Sequence, residues 1–339
     1  GLSLAGVLLS QLGGSNLDGG GKAGTVSVEN NGSISVSGAG AVAVRTQAIN
    51  GGGGVLDQTF TGVDLSAAAA DAGSGSSAAS GIGSVLGSLL GSRGATNTSG
   101  GDVDAGSKGD YAIAGDFSLG ELTQSIGGGG GSSLTRVLGG TDSVAPRVAF
   151  TAASAGNGLS QALTQARPTA PALVFAASLG AIGGSNNNGG ALRLSHDGMM
   201  LLEGSQGVLA LHQSIGGGGG EIRAQLEGGG SAVQLQLQMG ASGAQDSRGG
   251  ALAYTQRGDV AVAGQDTQGL LLQSIGGGGG VARVSLDAPG AVQAQARLGA
   301  DGGAGLDAGA VDMQVAGNVL DLSANSVALL AQSIGAGGG

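Results

Sequence analysis

Apolar side chains recur at every second position in several short stretches of this chain. Val26, Val103, Leu192, Leu252 and Val311 each lie two residues after a glycine. Val28, Ala105, Leu194, Tyr254 and Met313 lie four residues after the same glycines. Ile34, Tyr111, Met200, Val260 and Val319 each lie two residues after a second glycine. A period of two puts alternate side chains on one face of a strand, whereas a helix needs intervals of three and four. The strands are bounded by turn residues, as in Glu29-Asn30-Asn31-Gly32, where glycine and asparagine supply the backbone freedom of a tight turn. A third apolar run follows, for example Leu270 to Leu272 or Val327 to Leu330, and Val233-Gln234-Leu235-Gln236-Leu237 alternates cleanly.

The strands belong to a repeat. Five frames open on a glycine, place a second glycine eight residues on, and end on an isoleucine twenty-five residues on: Gly24 to Ile49, Gly101 to Ile126, Gly190 to Ile215, Gly250 to Ile275 and Gly309 to Ile334. Four close on the same tripeptide: Gln124-Ser125-Ile126, Gln213-Ser214-Ile215, Gln273-Ser274-Ile275 and Gln332-Ser333-Ile334. The first has Gln47-Ala48-Ile49, and a glycine run follows every one. An internal repeat of this length describes an array of supersecondary units. The chain divides into a repeat remnant and first unit at 1–54, an irregular Ala/Ser/Gly-rich insertion at 55–100, a second unit at 101–131, a second irregular insertion at 132–170, and three regular repeats at 171–339. Ile215, Ile275 and Ile334 are 60 and 59 residues apart. A coil of β-structure takes on the order of 20 residues, so each period is expected to hold two or three coils. The fold class expected is all-β: a repeat β-solenoid, or parallel β-helix, with Gly-rich corners and lateral loop insertions.

Composition supports order of this kind. Glycine accounts for 77 of 339 residues and aromatics for 2%, with no tryptophan. Thin stacked units bury small aliphatic side chains against their neighbours and accumulate stability along one axis. The hydrophobic fraction of 40% and its alternation argue against a disordered glycine-rich linker. The chain starts in what reads as the tail of a repeat and stops within a glycine run, as a slice of a longer protein would. The net charge of -10, with only Lys22 and Lys108 as lysines, lacks the basic footprint that nucleic acid requires. No apolar stretch reaches the roughly 18 residues of a membrane helix. With no cysteine, disulfides, thiolate metal sites and cysteine nucleophiles are excluded.

Candidate chemistry is sparse. The runs Gly127 to Gly131, Gly216 to Gly220 and Gly276 to Gly280 are followed by Ser132, Glu221 and Val281, not by the Lys-Ser/Thr of a phosphate loop. Their constant phase suggests glycine columns with close backbone approach, and the glutamine ahead of each suggests an amide ladder from unit to unit. Gly302-Gly303-Ala304-Gly305-Leu306-Asp307 resembles half a calcium nonapeptide, and Asp102, Asp104 and Asp110 form a loose acidic cluster. Shared calcium sites need such strings in tandem, so no cofactor is expected and calcium is the sole candidate ion. Ser195-His196-Asp197 places triad residue types side by side, but neighbours along a strand face opposite ways. His212 occupies a slot held elsewhere by Thr46, Thr123, Leu272 and Ala331, and such variability is expected of a solvated position. No catalytic, cofactor-binding or metal-ligating residue is assigned.

The blocks Gly309-Ala310-Val311-Asp312-Met313 through Ala331-Gln332-Ser333-Ile334-Gly335, and Gly24-Thr25-Val26-Ser27-Val28-Glu29-Asn30-Asn31-Gly32-Ser33-Ile34, resemble the glycine-rich repeats of large proteobacterial autotransporter-type surface proteins. The resemblance covers roughly residues 20–50, 100–130 and most of 170–339. It implies a non-enzymatic passenger on a Gram-negative cell surface or outside the cell, with a structural or adhesive role in adhesion, matrix or filament formation. The partners implied are neighbouring repeats or further copies, and a host-cell or matrix ligand. Membrane contact would come only through a translocator that this chain does not contain. The alternative from the residues alone is a secreted β-helical glycan-binding protein or polysaccharide-acting enzyme with its site on a lateral loop.

Overall fold

The computed structural model describes residues 2–3, 7–12, 20–64, 85–90, 96–139, 173–179, 185–227, 232–239, 245–287, 291–298 and 305–335. Among them the chain is all-β, with no helix. The strands form five five-stranded parallel sheets and one two-stranded sheet.

Each large sheet takes one strand from each successive repeat. The first contains Val26–Asn30, Val103–Lys108, Leu192–Asp197, Leu252–Arg257 and Val311–Ala316. The second contains Ile34–Ser37, Tyr111–Ala114, Met200–Glu203, Val260–Ala263 and Val319–Asp321. The third, the glutamine sheet, contains Val42–Ile49, Leu119–Ile126, Val208–Ile215, Gln268–Ile275 and Val327–Ile334. The fourth, the glycine sheet, contains Leu2–Ser3, Gly53–Asp64, Gly130–Gly139, Gly219–Glu227 and Gly279–Asp287. The fifth contains Val7–Leu12, Val85–Leu90, Leu173–Leu179, Ala232–Met239 and Ala291–Leu298.

The register corrects one expectation. Val26 pairs with Val103, Val103 with Leu192, Leu192 with Leu252, and Leu252 with Val311. Those partners are 77, 89, 60 and 59 residues apart, so neighbouring strands are separated by one whole period. A period is therefore a single step along every sheet, not two or three coils. The reason is the number of strands: one unit spends its residues on five strands plus their turns. Reaching into 55–100 and 132–170, Gly53–Asp64 pairs with Gly130–Gly139, with a register shift at Leu138/Gly139, and Gly130–Gly139 pairs with Gly219–Glu227; Val85–Leu90 pairs with Leu173–Leu179, and Thr98–Ser99 with Gly21–Lys22. Of the rest of both stretches, 96–97 and 100 are described, and 65–84, 91–95 and 140–170 lie outside the described residues. In both longer units the extra length falls between the glycine-sheet strand and the fifth-sheet strand.

The period-two positions build the main core. All of them except Val28 and Val319 belong to one apolar cluster, which Leu209, Ala210, Leu270 and Leu272 of the glutamine sheet complete. A second cluster, Leu119, Leu122, Val208, Leu211 and Leu271, lies on the glutamine sheet's other side with Val281 of the glycine sheet. The glutamine sheet is thus covered on both faces, which explains its unalternated apolar runs such as Leu270-Leu271-Leu272.

Candidate functional site

The repeat motif forms three columns, buried at the three inner units. The glutamine side chains join in an unbroken ladder: Gln47 Nε2 donates to Gln124 Oε1 at 2.7 Å, Gln124 to Gln213 at 2.9 Å, Gln213 to Gln273 at 2.8 Å and Gln273 to Gln332 at 2.8 Å. Gln124, Gln213 and Gln273 are buried. A buried primary amide offers two donors and two acceptor sites; the second donor reaches the glycine run, from Gln124 to Gly131 O and from Gln213 to Gly220 O, each at 3.3 Å. Beside the ladder, Ile49, Ile126, Ile215 and Ile275 stack as an apolar column.

The serines explain the constant length of the frame. Ser125 Oγ donates to Gly101 O, the glycine that opens its own unit, at 2.7 Å, and accepts from Gly190 N, which opens the next, at 2.8 Å. Ser214 bridges Gly190 and Gly250 in the same way, and Ser274 bridges Gly250 and Gly309. One hydroxyl satisfies both an acceptor and a donor across two units, and shifting it by a single residue would lose both bonds.

The glycine runs pair directly: Gly53 with Gly130, Gly130 with Gly219, and Gly219 with Gly279. A Cβ on Gly130 or Gly219 would collide with the carbonyl oxygen of the glycine one unit on, and φ there is 131° and 139°. Only glycine combines that φ with that approach.

The acidic candidates do not converge. Asp102 accepts from Ala191 N at 2.9 Å and Asp110 from Met199 N at 2.8 Å, each one unit along. Asp104 faces Arg193 at 3.4 Å, and Asp307 faces Arg248 at 3.3 Å. The backbone bond from Ala191 holds the Asp102 carboxyl below its usual range, with a smaller contribution from Lys22. Gly302 to Ala304 lie outside the described residues. Among the described residues no group of three or more His, Asp or Glu side chains is placed to hold a metal ion.

In Ser195-His196-Asp197 the outer two side chains are exposed and His196 is buried. His196 instead meets Glu121, from 75 residues earlier: Nδ1 lies 3.1 Å from Oε1. His212 is also buried, correcting its assignment to solvent, with Nε2 3.6 Å from Glu121 Oε2. Its column is variable because it lies in a sheet covered on both faces, where Thr46, Thr123 and Leu272 are buried as well. Tyr111 stands edge-on to His196, with ring centres 4.5 Å apart, and Tyr254 packs on His212 at 4.8 Å. Tyr111 donates to Ser107 Oγ, and Tyr254 to Gln256 Oε1, both at 2.8 Å. Burial pushes the His212 imidazole down to about 4; Glu121 opposes that shift and His196 adds to it. Burial raises both tyrosines, Tyr254 the more strongly. A second buried cluster joins Glu221, Arg223 and Ser132: Arg223 Nε lies 3.3 Å from Glu221 Oε1, and Ser132 donates to Glu221 Oε2 at 3.1 Å. The side chains of both clusters are buried. Sequence spacing gave no sign of either cluster, since only the register brings Glu121 to His196.

No family model, curated protein or solved structure matches the chain.

Proposed function

We propose that the five sheets belong to one β-solenoid with Gly-rich corners and lateral loop insertions, and that it serves as a structural or adhesive segment of a secreted or surface-exposed fibrous protein. The observation that carries the reading is the glutamine ladder running through all five units. A motif that recurs in phase and is spent on unit-to-unit hydrogen bonds serves the array rather than a substrate. The buried polar groups point the same way, because they lie inside the stack. The sequence resemblance adds the autotransporter-type passenger, the cell-surface location, and adhesion, matrix or filament formation as the setting. Partners under this reading are further repeats or copies, and a host-cell or matrix ligand on the outer faces; no enzyme activity and no cofactor are assigned. The test is whether purified chain, displayed on beads, adheres to host cells or extracellular-matrix components and retains it after Glu121→Gln. Loss of adhesion on shuffling the exposed strand residues, with folding intact, supports the adhesive role. Hydrolysis of a polysaccharide by the purified chain would overturn it.

A further inference from the structure

One place in the main core departs from its apolar pattern. Glu121, on the glutamine-sheet strand Leu119–Ile126, is 7% exposed. His196 of the first sheet and His212 of the next glutamine-sheet strand are 0% and 1% exposed. Glu121 Oε1 lies 3.1 Å from His196 Nδ1, and Oε2 lies 3.6 Å from His212 Nε2. The ring of Tyr111, from the second sheet, packs on His196, and that of Tyr254, from the first, on His212. Ser107 and Gln256 take the hydrogen bonds of the two phenols. His196 Nε2 and both ring nitrogens of His212 make no hydrogen bond among the described residues. The other buried charges, Glu221 and Arg223, belong to the glycine-sheet strand Gly219–Glu227.

The cluster belongs to a single boundary of the stack. In register with Glu121 stand Val44, Ala210, Leu270 and Leu329, and with His212 stand Thr46, Thr123, Leu272 and Ala331. In register with His196 stand Asn30, Ser107, Gln256 and Val315. None of these side chains ionises. Glu121 comes from the second unit and both histidines from the third, so the contact crosses that boundary and no other. A buried carboxylate is costly unless it is paired and hydrogen-bonded, and the two imidazoles are the partners it has.

We propose that Glu121, His196 and His212 form an acid-sensitive joint, at which the second and third units part locally while the other boundaries hold. One proton shared between Glu121 and His196 leaves the cluster without net charge, with His212 neutral. A further proton on His212 gives the buried cluster a net positive charge that no second carboxylate balances. Burial opposes that charge and lowers the His212 imidazole to about 4, with Glu121 working against the shift and His196 adding to it. Opening the joint returns His212 to its ordinary 6.5, so between those values the opened state binds more protons. Opening is therefore favoured as pH falls through that window, and gains nothing more through this group below about 4. The two tyrosines, both raised by burial, stay neutral throughout. The inference stands on register and burial and does not depend on the structural or adhesive role. It confines the acid response to one boundary, where the paired strands are Leu119–Ile126 with Val208–Ile215 and Val103–Lys108 with Leu192–Asp197.

Hydrogen exchange of the full chain, read by mass spectrometry at about pH 7 and about pH 5, tests the joint. Rates are corrected for the intrinsic pH dependence of amide exchange. Protection in peptides covering Leu119–Ile126 and Val208–Ile215 is expected to fall about tenfold or more at the lower pH. Peptides covering Gln268–Ile275, one boundary away, are expected to change less than about twofold. Glu121→Ala with His196→Gln and His212→Leu installs the side chains that Ala210, Gln256 and Leu272 supply in register, and should abolish the difference. His212→Leu alone serves the same purpose if the triple variant does not fold. An equal loss of protection in the three strands, no loss at the joint, or a folded variant that keeps the tenfold change would overturn the inference.

Discussion

Gln124 donates its side-chain amide to Gln213 over 2.9 Å, although 89 residues separate them. The next rung, Gln213 to Gln273, spans 60 residues at nearly the same distance. The ladder is indifferent to how much chain lies between its rungs; the extra length falls in the sequence between the glycine-sheet and fifth-sheet strands.

Replacing the middle rung should expose its energetic weight. In Gln213→Leu the volume is nearly kept, but the amide of Gln124 and the carbonyl of Gln273 lose their partners. A buried group left unsatisfied costs about 1–3 kcal/mol, so a loss of about 2–4 kcal/mol is expected in denaturant unfolding. A change below about 0.5 kcal/mol would mean that the amides are not coupled.

The same motif position should respond differently by unit. A Cβ on Gly190 would collide with the carbonyl oxygen of Gly101, whereas one on Gly24 meets nothing within 4 Å. Gly190→Ala is expected to lower stability by about 2–3 kcal/mol through backbone displacement. Gly24→Ala is expected within about 0.5 kcal/mol of the parent. Equal effects, read from thermal unfolding, would contradict the unit-to-unit contact.

Burial of His212 predicts an acid-sensitive stack. Its pKa falls to about 4 in the folded chain from an ordinary 6.5, so between those values the unfolded chain binds more protons. Stability is therefore expected to fall as pH drops from about 6.5 to about 4 and then to stop changing through this group. At about 1.4 kcal/mol per pH unit, the loss is on the order of 3 kcal/mol. His212→Phe should flatten that part of the profile, and an unchanged slope in the variant would assign the acid sensitivity elsewhere.

The serine bridge is testable by one atom. Ser214→Ala removes a hydroxyl that serves Gly190 O and Gly250 N, and a cost of about 1–3 kcal/mol is expected. Ala48 stands at this position in the first unit, so Ser125→Ala should also fold. Failure of either variant to lose stability would leave the fixed frame without its explanation.

Much of this was legible in residue spacing. Period-two positions gave the first two strands of each unit and most of the main core, and the phase of Gln-Ser-Ile gave the columns. The number of strands per unit was not legible. Gly53–Asp64 and its partners begin in glycine, which carries no side-chain pattern, and the strand at Val85–Leu90 lies in an Ala/Ser/Gly-rich stretch. Without those strands a 60-residue period looked long enough for several coils. His212 was misread because variability marks solvent only when one face of a sheet is wet. Glu121 and His196 were invisible as a pair because their meeting depends on that missing strand count.

The one-step period is the central claim, and pulsed electron paramagnetic resonance measures it. Spin labels are placed at Ser27 and Asp312 of one chain, diluted with excess unlabelled chain to suppress contacts between copies. Four register steps separate the two sites. At about 4.8 Å per step, their backbones should stand about 19 Å apart, before the reach of the labels. A distance of roughly 40–60 Å, as two or three coils per period would give at the same spacing, would contradict the account.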